Sequence, residues 1–234
     1  MTQLEKLQRW LLYTPFGQYV LRNEQAFYNR ALPNIFGYYA LQIGCAEVNF
    51  LQENKIRSRY IIERDLKCYL NLLPLDSNSI DLIVCPHALE LTPNYTSILE
   101  ELYRVLMPRG KLVITGFNKH SLFTTFGHKQ DIYQELHFIK LNQLKQQLNQ
   151  LKFSIDGGQF FCYNPPSGTT DKMNERPWLD KVGDRWFPTF ANNYGVIASK
   201  ELVTPTRIQP QSKAYRTVPA AVSMGATRTC HARP

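Results

Sequence analysis

The sequence predicts an α/β protein built on a doubly wound, mostly parallel sheet. Two observations predict this class: short apolar runs of strand length alternate with segments of helical periodicity, and IDLIVC (80–85) is a nearly continuous apolar run. Runs of that kind are typical of central parallel strands covered on both faces. The 234 residues are 44% hydrophobic, which suffices for one sizeable core, and no apolar run approaches the ~18–20 residues of a membrane span.

Two helices are predicted at the start of the chain. Leu4, Leu7 and Leu11 recur at helical spacing, which predicts the first helix. Thr14-Pro15 then has the order of an N-cap followed by proline at the first helical position, so a second helix is expected to run to about Leu32. We assign residues 1–35 to an N-terminal helical extension.

Strands and helices alternate through residues 36–200, which we assign to the α/β domain. Strands are predicted at 36–43, 59–63, 67–73, 80–85, 111–115, 153–163 and 194–199. One helix is expected to start at Asn94, or at Ser97 if the S-x-x-E spacing forms a capping box, and to end before the PRG turn (108–110). Leucine spacing predicts another over 141–151. The C-terminal strands should form an antiparallel hairpin, with helices on both faces of the sheet.

Charge and cysteine usage bear on partners and location. Half of the net charge of +8 lies in residues 201–234, where five basic side chains accompany the acidic Glu201. Basic tails often contact nucleic acid, although this composition is also typical of a solubilising disordered end. The five cysteines form no C-x-x-C pair, which excludes a zinc knuckle, predicts no metal site, and favours a reducing, cytoplasmic location.

Ligands of open α/β sheets bind beyond the carboxyl ends of the strands. Four polar or backbone positions are expected there, each with a plain structural alternative. Gly44 would let a ligand approach the backbone closely, or it could simply end a strand. Glu63 could accept hydrogen bonds from ribose hydroxyls, or it could be an ordinary surface charge. His87 could act as a base or orient a substrate, or cap and pack, and Asn118 could bind a substrate or close a turn.

A longer sequence pattern indicates a more specific class of α/β protein. Residues 72–123 contain L-P-(apolar)-x-x-x-S-(apolar)-D-(apolar), then L-x-x-(apolar)-x-R-V-L, then P-x-G and a strand. This stretch resembles the class I S-adenosylmethionine-dependent methyltransferases of the ubiquinone-biosynthesis type. Together with TPFGQY, FGYYALQIG, GFNKHSLF and GATRTC, it also resembles a small gammaproteobacterial family of methyltransferase-like proteins with a degenerate motif I. The resemblance implies a Rossmann-like methyltransferase sheet and S-adenosylmethionine as cofactor.

By position, the resemblance assigns cofactor contacts to residues at four strand ends or turns: Gly44, Cys45, Glu63, Leu72 and Pro86. His87 and Asn118 are the candidates for contact with the methyl acceptor, a small molecule or macromolecule that the sequence does not identify.

Motif I departs from the family's pattern. Gln42 stands where the family has an acid, Ala46 and Val48 stand where it has glycines, and Tyr69 stands where an adenine-contacting Asp is expected. Two functions therefore follow as alternatives. The first is methyl transfer from S-adenosylmethionine, and the second is a non-catalytic methyltransferase-like binding protein with an eroded cofactor site.

Overall fold

The computed structural model describes residues 2–121, 131–164 and 190–201. Two helices begin it, α1 (Gln3–Tyr13) and α2 (Pro15–Ala31), and both starts follow local rules. Thr2 and Glu5 form a capping box for α1. The Thr14 hydroxyl accepts from the Gly17 N–H with Pro15 in the first turn of α2, as its sequence predicts. Both ends thereby satisfy backbone donors that a helix leaves unpaired.

The sheet has six strands in the order β2-β1-β3-β4-β6-β5. They are β1 (Tyr39–Gln42), β2 (Ser58–Ile61), β3 (Ile80–Pro86), β4 (Leu106–Phe117), β5 (Phe153–Phe161) and β6 (Asn193–Lys200). The first four strands are parallel, whereas β6 pairs antiparallel with both β4 and β5. The predicted fold class, a mostly parallel sheet with an antiparallel C-terminal pair, is confirmed.

Helices cover both faces. One face packs against α1, α2 and residues 48–56, with Tyr28, Phe50 and Val84 among its buried side chains. The other packs against α3 (Tyr95–Val105) and α5 (Leu141–Gln150) through buried leucines. A 3₁₀ helix (Ala88–Leu91) follows β3, and the short helix α4 (Asp131–Glu135) precedes α5.

The first of the two predicted starts of α3 is confirmed, because the helix begins at Tyr95 with Asn94 at the N-cap position. Several strand boundaries differ from the prediction. Strand β4 already begins at Leu106, so the PRG segment lies within the strand. Strand β5 ends at Phe161 rather than at residue 163. These differences leave the strand order unchanged.

The strand predicted at 67–73 is wrong. Residues 67–73 form turns with an isolated bridge between Tyr69 and Leu72. The reason lies in the partners of Leu73: its N–H donates to Glu101 Oε1 at 2.7 Å, and its carbonyl accepts from Arg104 Nη2 at 3.1 Å. Both backbone groups are therefore bound to side chains of α3 and are not available to a sheet ladder.

Contacts separate residues 1–202 from residues 203–234. The predicted basic tail, residues 201–234, lies outside the described residues except for Glu201. Among the helices described, none is long and apolar enough to cross a membrane.

Candidate active site at the carboxyl ends of the central strands

The turn after β1 is built around the side chain of Gln42. Its Nε2 donates to the carbonyls of Gly44 and Cys45, both at 3.2 Å, and of Val48 at 2.6 Å. Its Oε1 accepts from the Phe50 N–H at 2.9 Å. Gln42 is fully buried, so these bonds satisfy its amide inside the protein. A carboxylate could not do the same, because an ionised acid only accepts hydrogen bonds.

Gly44 and Cys45 lie against the end of β3. Gly44 has a φ of +93°, and a Cβ there would lie 2.5 Å from the Pro86 carbonyl oxygen. Cys45 has a φ of 47° and is fully buried, with Sγ 3.9 Å from the same oxygen. Burial, then the nearby charge of Glu24, raises the pKa of the Cys45 thiol well above its usual range. Only glycine fits at position 44, and the neighbouring thiol is a neutral, inert group.

No helix lies between β1 and β2, a segment that the structure describes in full. Residues 43–57 are turns and irregular backbone, and Val48, Phe50 and Leu51 enter the core under the sheet. In dinucleotide-binding folds, the helix that follows the first strand directs its N-terminus at the anionic part of the ligand. The crossover from β1 to β2 therefore lacks that source of anion stabilisation.

The other predicted cofactor positions lie at the next strand ends. Glu63 is exposed just past β2 with a φ of 74°, and its N–H donates to the Leu66 carbonyl. Leu72 is also exposed. A cavity of about 280 Å³ lies between the turn at Asn71 and the segment after β3, and its lining includes Ala88, Thr92 and Ile98. The lining of this cavity does not include Gly44, Glu63 or His87.

His87 is buried between two carboxylates. Its Nδ1 lies 2.7 Å from Glu90 Oε2, and its Nε2 lies 2.7 Å from Glu24 Oε1. The second approach is an ion-pair contact without an aligned hydrogen bond. The other oxygen of Glu90 accepts from the Phe117 N–H at 2.6 Å. We call Glu24, His87 and Glu90 the carboxylate–histidine cluster.

The charges of the two carboxylates determine the protonation of His87. Burial by itself lowers the pKa of His87, but the charges of Glu24 and Glu90 outweigh it and raise that pKa to about 10. Burial raises the pKa of Glu90, which the His87 charge partly offsets. The imidazole is therefore protonated at neutral pH, and both of its nitrogens contact carboxylates. In this state it cannot accept a proton from a substrate.

Asn118 closes a turn. Its N–H donates to the Asn192 carbonyl at 2.7 Å, its Nδ2 donates to the Ala191 carbonyl at 3.0 Å, and its Oδ1 accepts from the His120 N–H at 3.1 Å. It is 4% exposed. The structure thus brings Gly44, Cys45, Pro86 and His87 together, whereas Glu63, Leu72 and Asn118 occupy separate turns.

Sequence reasoning missed Glu24 and Glu90. A signal for Glu24 existed, because it lies four residues after Val20 and three before Phe27 and thus falls on the apolar stripe of α2. A charge in that stripe indicates a buried partner. Glu90 follows His87 at a spacing of three residues, but the 3₁₀ turn that brings them together could not be read from the sequence.

Comparisons with known proteins identify a matching domain family and related sequences. Residues 28–114, which include β1 to β3, match the model of the methyltransferase domain family. An uncharacterized protein from Methanocaldococcus jannaschii is 32% identical over 167 residues, which are 70% of this chain and 64% of that protein. The demethylmenaquinone methyltransferase of Oceanobacillus iheyensis is 36% identical over 67 residues, 29% of this chain and 27% of that enzyme. The chain thus spans less than two thirds of these curated relatives.

Solved structures of methyltransferases have a fold similar to that of this chain. A SAM-dependent methyltransferase from Archaeoglobus fulgidus superposes with a TM-score of 0.55 at 20% identity, covering 76% of this chain and 94% of that one. An S-adenosylmethionine-dependent methyltransferase from Mesorhizobium loti gives a TM-score of 0.52 at 16% identity, covering 75% and 96%. The chain therefore has the fold of the class I methyltransferases, and its residues 28–114 match the methyltransferase domain family.

Proposed function

We propose that the protein is an S-adenosylmethionine-dependent methyltransferase whose acceptor is unidentified. The observation that carries this proposal is the meeting of Gly44 with the Pro86 carbonyl at the carboxyl ends of adjacent parallel strands. Open α/β sheets bind their ligands at that edge. The match to the methyltransferase domain family supports the choice of cofactor.

The residues at this edge fit the adenosine half of the cofactor. Glu63 is exposed past β2, where a carboxylate can accept from ribose hydroxyls. The cavity beside Asn71 offers apolar walls and amide groups, which suit an adenine ring. For the amino-acid half, the backbone of Gly44 and Cys45 is in place, but the side chain at 42 is an amide bound to its own turn.

When bound, the cofactor supplies an electrophilic methyl group on a sulfonium. The chain's part is to hold the ligand, orient the acceptor and exclude water. We propose that Asn118 and His87 help to orient the acceptor and do not exchange protons with it. The reason is that the polar groups of both side chains already contact other protein groups. The acceptor's nucleophile then reaches the site with its lone pair free, or loses its proton to another group.

Isothermal titration calorimetry with S-adenosylmethionine tests the proposal. We expect binding at one site per chain. Absence of heat at high micromolar ligand, together with an unchanged melting temperature, contradicts the proposed function. S-adenosylhomocysteine serves as the second ligand in the same experiment.

Replacing Glu63 with Gln should weaken cofactor binding by about tenfold or more. The change removes a charged acceptor of ribose hydrogen bonds, and such bonds contribute about 1.5–3 kcal/mol. The matched control is Glu53→Gln, since Glu53 is also exposed and precedes β2. Equal affinities of the two variants for S-adenosylmethionine would show that Glu63 does not contact the cofactor.

The structure also favours a second candidate, a non-catalytic methyltransferase-like binding protein. The specific observations are the closed Gln42 turn and the lack of a helix between β1 and β2 in the described chain. For this function we expect a stable fold with no calorimetric response to S-adenosylmethionine or S-adenosylhomocysteine.

Nucleic-acid binding through the basic tail, residues 201–234, is a separate proposal supported by its charge. Binding to RNA or DNA should fall steeply as salt rises and should be lost on truncation after Glu201. A cytoplasmic location is likewise proposed from the cysteine pattern.

A further inference from the structure

A basic and aromatic surface lies at the amino ends of β1 and β2, at the opposite ends of these strands from the candidate active site. Two segments of the chain form it: residues 36–38 directly precede β1, and residues 55–59 lead into β2. The two strands pair in parallel from Tyr39 and Ser58 onward, so the segments enter the sheet side by side. We call the five exposed side chains of these segments the basic–aromatic patch: Phe36, Tyr38, Lys55, Arg57 and Arg59.

The aromatic rings of the patch are exposed to solvent. Phe36 is 67% exposed and Tyr38 is 79% exposed, so these rings contribute little to the core. The Lys55 ammonium lies 5.7 Å from the centroid of the Phe36 ring, within the range of a cation–π contact. Exposed rings beside cations are the arrangement on which nucleic-acid bases stack, because every base has a π-face and is joined to a phosphate.

The basic side chains of the patch have no carboxylate partners among the described residues. Residues 51–60 contain three basic side chains and a single acidic one, Glu53. The Arg59 guanidinium donates to the carbonyls of Leu51 at 2.8 Å and Gln52 at 3.2 Å, and none of the three basic side chains forms a salt bridge with a described residue. Their positive charge is therefore available to phosphate groups.

Hydrogen bonds from neighbouring side chains hold both segments in position. Asn54 Nδ2 donates to the carbonyls of Leu32 at 2.7 Å and Ile35 at 3.0 Å, which ties the crossover after β1 to the chain that precedes β1. Asp81 Oδ2, on β3, accepts from the N–H of Tyr38 at 2.7 Å and from that of the next residue at 2.9 Å. The backbone of the patch is thus ordered without a ligand, which reduces the entropy lost on binding.

We propose that the basic–aromatic patch binds single-stranded nucleic acid, with bases stacked on its two aromatic rings and phosphates held by its three basic side chains. A duplex is a poorer ligand, because its bases already stack on one another. In the described sheet β2 is an edge strand, so the patch is open along that edge. The proposal is independent of S-adenosylmethionine binding, and its failure would leave the proposed function in place.

The first test measures fluorescence anisotropy of labelled twelve-nucleotide oligomers with the full chain. Oligo(U) and oligo(dT) should both bind, and a duplex of oligo(dA) with oligo(dT) should bind at least tenfold more weakly. The difference between the first two ligands identifies RNA or DNA as the preferred source of the strand. No binding of either single strand, equal binding of the duplex, or binding only to phosphatidylserine vesicles would overturn the proposal.

The second test removes the rings and retains apolar side chains. We expect the double variant Phe36→Leu, Tyr38→Leu to lose tenfold or more in affinity for the single-stranded oligomers, because bases no longer stack on aromatic side chains. The matched control is Tyr13→Leu, an exposed ring at the end of α1, which should bind like the parent protein. Circular dichroism checks that each variant is folded. A double variant with the affinity of the control would show that the patch does not stack bases.

The third test removes charge from the patch. The double variant Lys55→Gln, Arg57→Gln should reduce the steepness of the fall of log K with log salt by about 1.4, since each phosphate contact on a single strand contributes about 0.7. The control Lys140→Gln, Lys145→Gln removes the same charge from exposed positions at and near the start of α5. All variants retain residues 201–234, so any contribution of the tail is common to them. Equal slopes of the two double variants would overturn the role of the patch.

Discussion

Gln42→Glu is expected to destabilise the protein by about 3–5 kcal/mol. The Gln42 amide donates to three backbone carbonyls inside the core. A carboxylate would lose all three bonds and place a charge against carbonyl oxygens, and an uncompensated buried charge costs on this order. Urea unfolding followed by circular dichroism measures the loss. Because a buried carboxyl takes up a proton more readily than an exposed one, the penalty should be larger at pH 8 than at pH 5.

The matched control for this change is Gln52→Glu. Gln52 is exposed in the same crossover between β1 and β2, and surface substitutions usually change stability by less than about 0.5 kcal/mol. If Gln42→Glu unfolds at the same urea concentration as the control, then the side-chain bonds of Gln42 contribute nothing to the turn. A stable variant with tighter cofactor binding would instead indicate that position 42 still acts as the family's acid.

Stability should fall as the pH rises from 6.5 toward 8.5. The pKa of His87 is raised to about 10 in the folded protein, against about 6.5 in an unfolded chain. The folded state therefore binds more protons than the unfolded state between these values. The His87 contribution is fully present below pH 6.5 and is lost as the pH rises through the folded pKa. The slope is at most about 1.4 kcal/mol per pH unit, so we expect a loss of roughly 2 kcal/mol over this range.

Urea unfolding at pH 6.5, 7.5 and 8.5 checks this dependence. Unfolded cysteine side chains titrate near pH 8.5 and add to the loss at the upper end of the range, so the histidine contribution is measured as the difference between the parent protein and a His87 variant. His87→Gln should flatten the slope, whereas His137→Gln, at an exposed position, should retain it. Constant stability of the parent protein across the range would show that His87 is not held in its protonated form.

Residues whose roles are local were the easiest to predict from the sequence. Thr14 and Pro15 start α2 because the cap bond forms within three residues. The IDLIVC run forms the central strand β3, since its composition suits burial on both faces. These local signals, combined with the spacing of residues 72–123, gave the fold class without any knowledge of long-range contacts.

The candidate site was harder to predict because its side chains meet across the chain. Glu24 and His87 are 63 residues apart in sequence, yet their charged atoms lie 2.7 Å apart. The sequence identified the departure at Gln42 but not its partners, which are backbone groups of the turn that follows. Their contacts depend on backbone geometry, including the positive φ angles of Cys45 and His87, which residue type alone does not specify.

The outermost strands of the sheet affect how copies of the protein meet in concentrated solution. In the part of the chain that the structure describes, β2 and β5 are the edge strands. The first is four residues long and carries Arg59, and the second has a shift of register between Ile155 and Gly157 beside Asp156. Short, charged or irregular edges are poor templates for strand addition. The sheet is thereby protected against edge-to-edge aggregation on both sides.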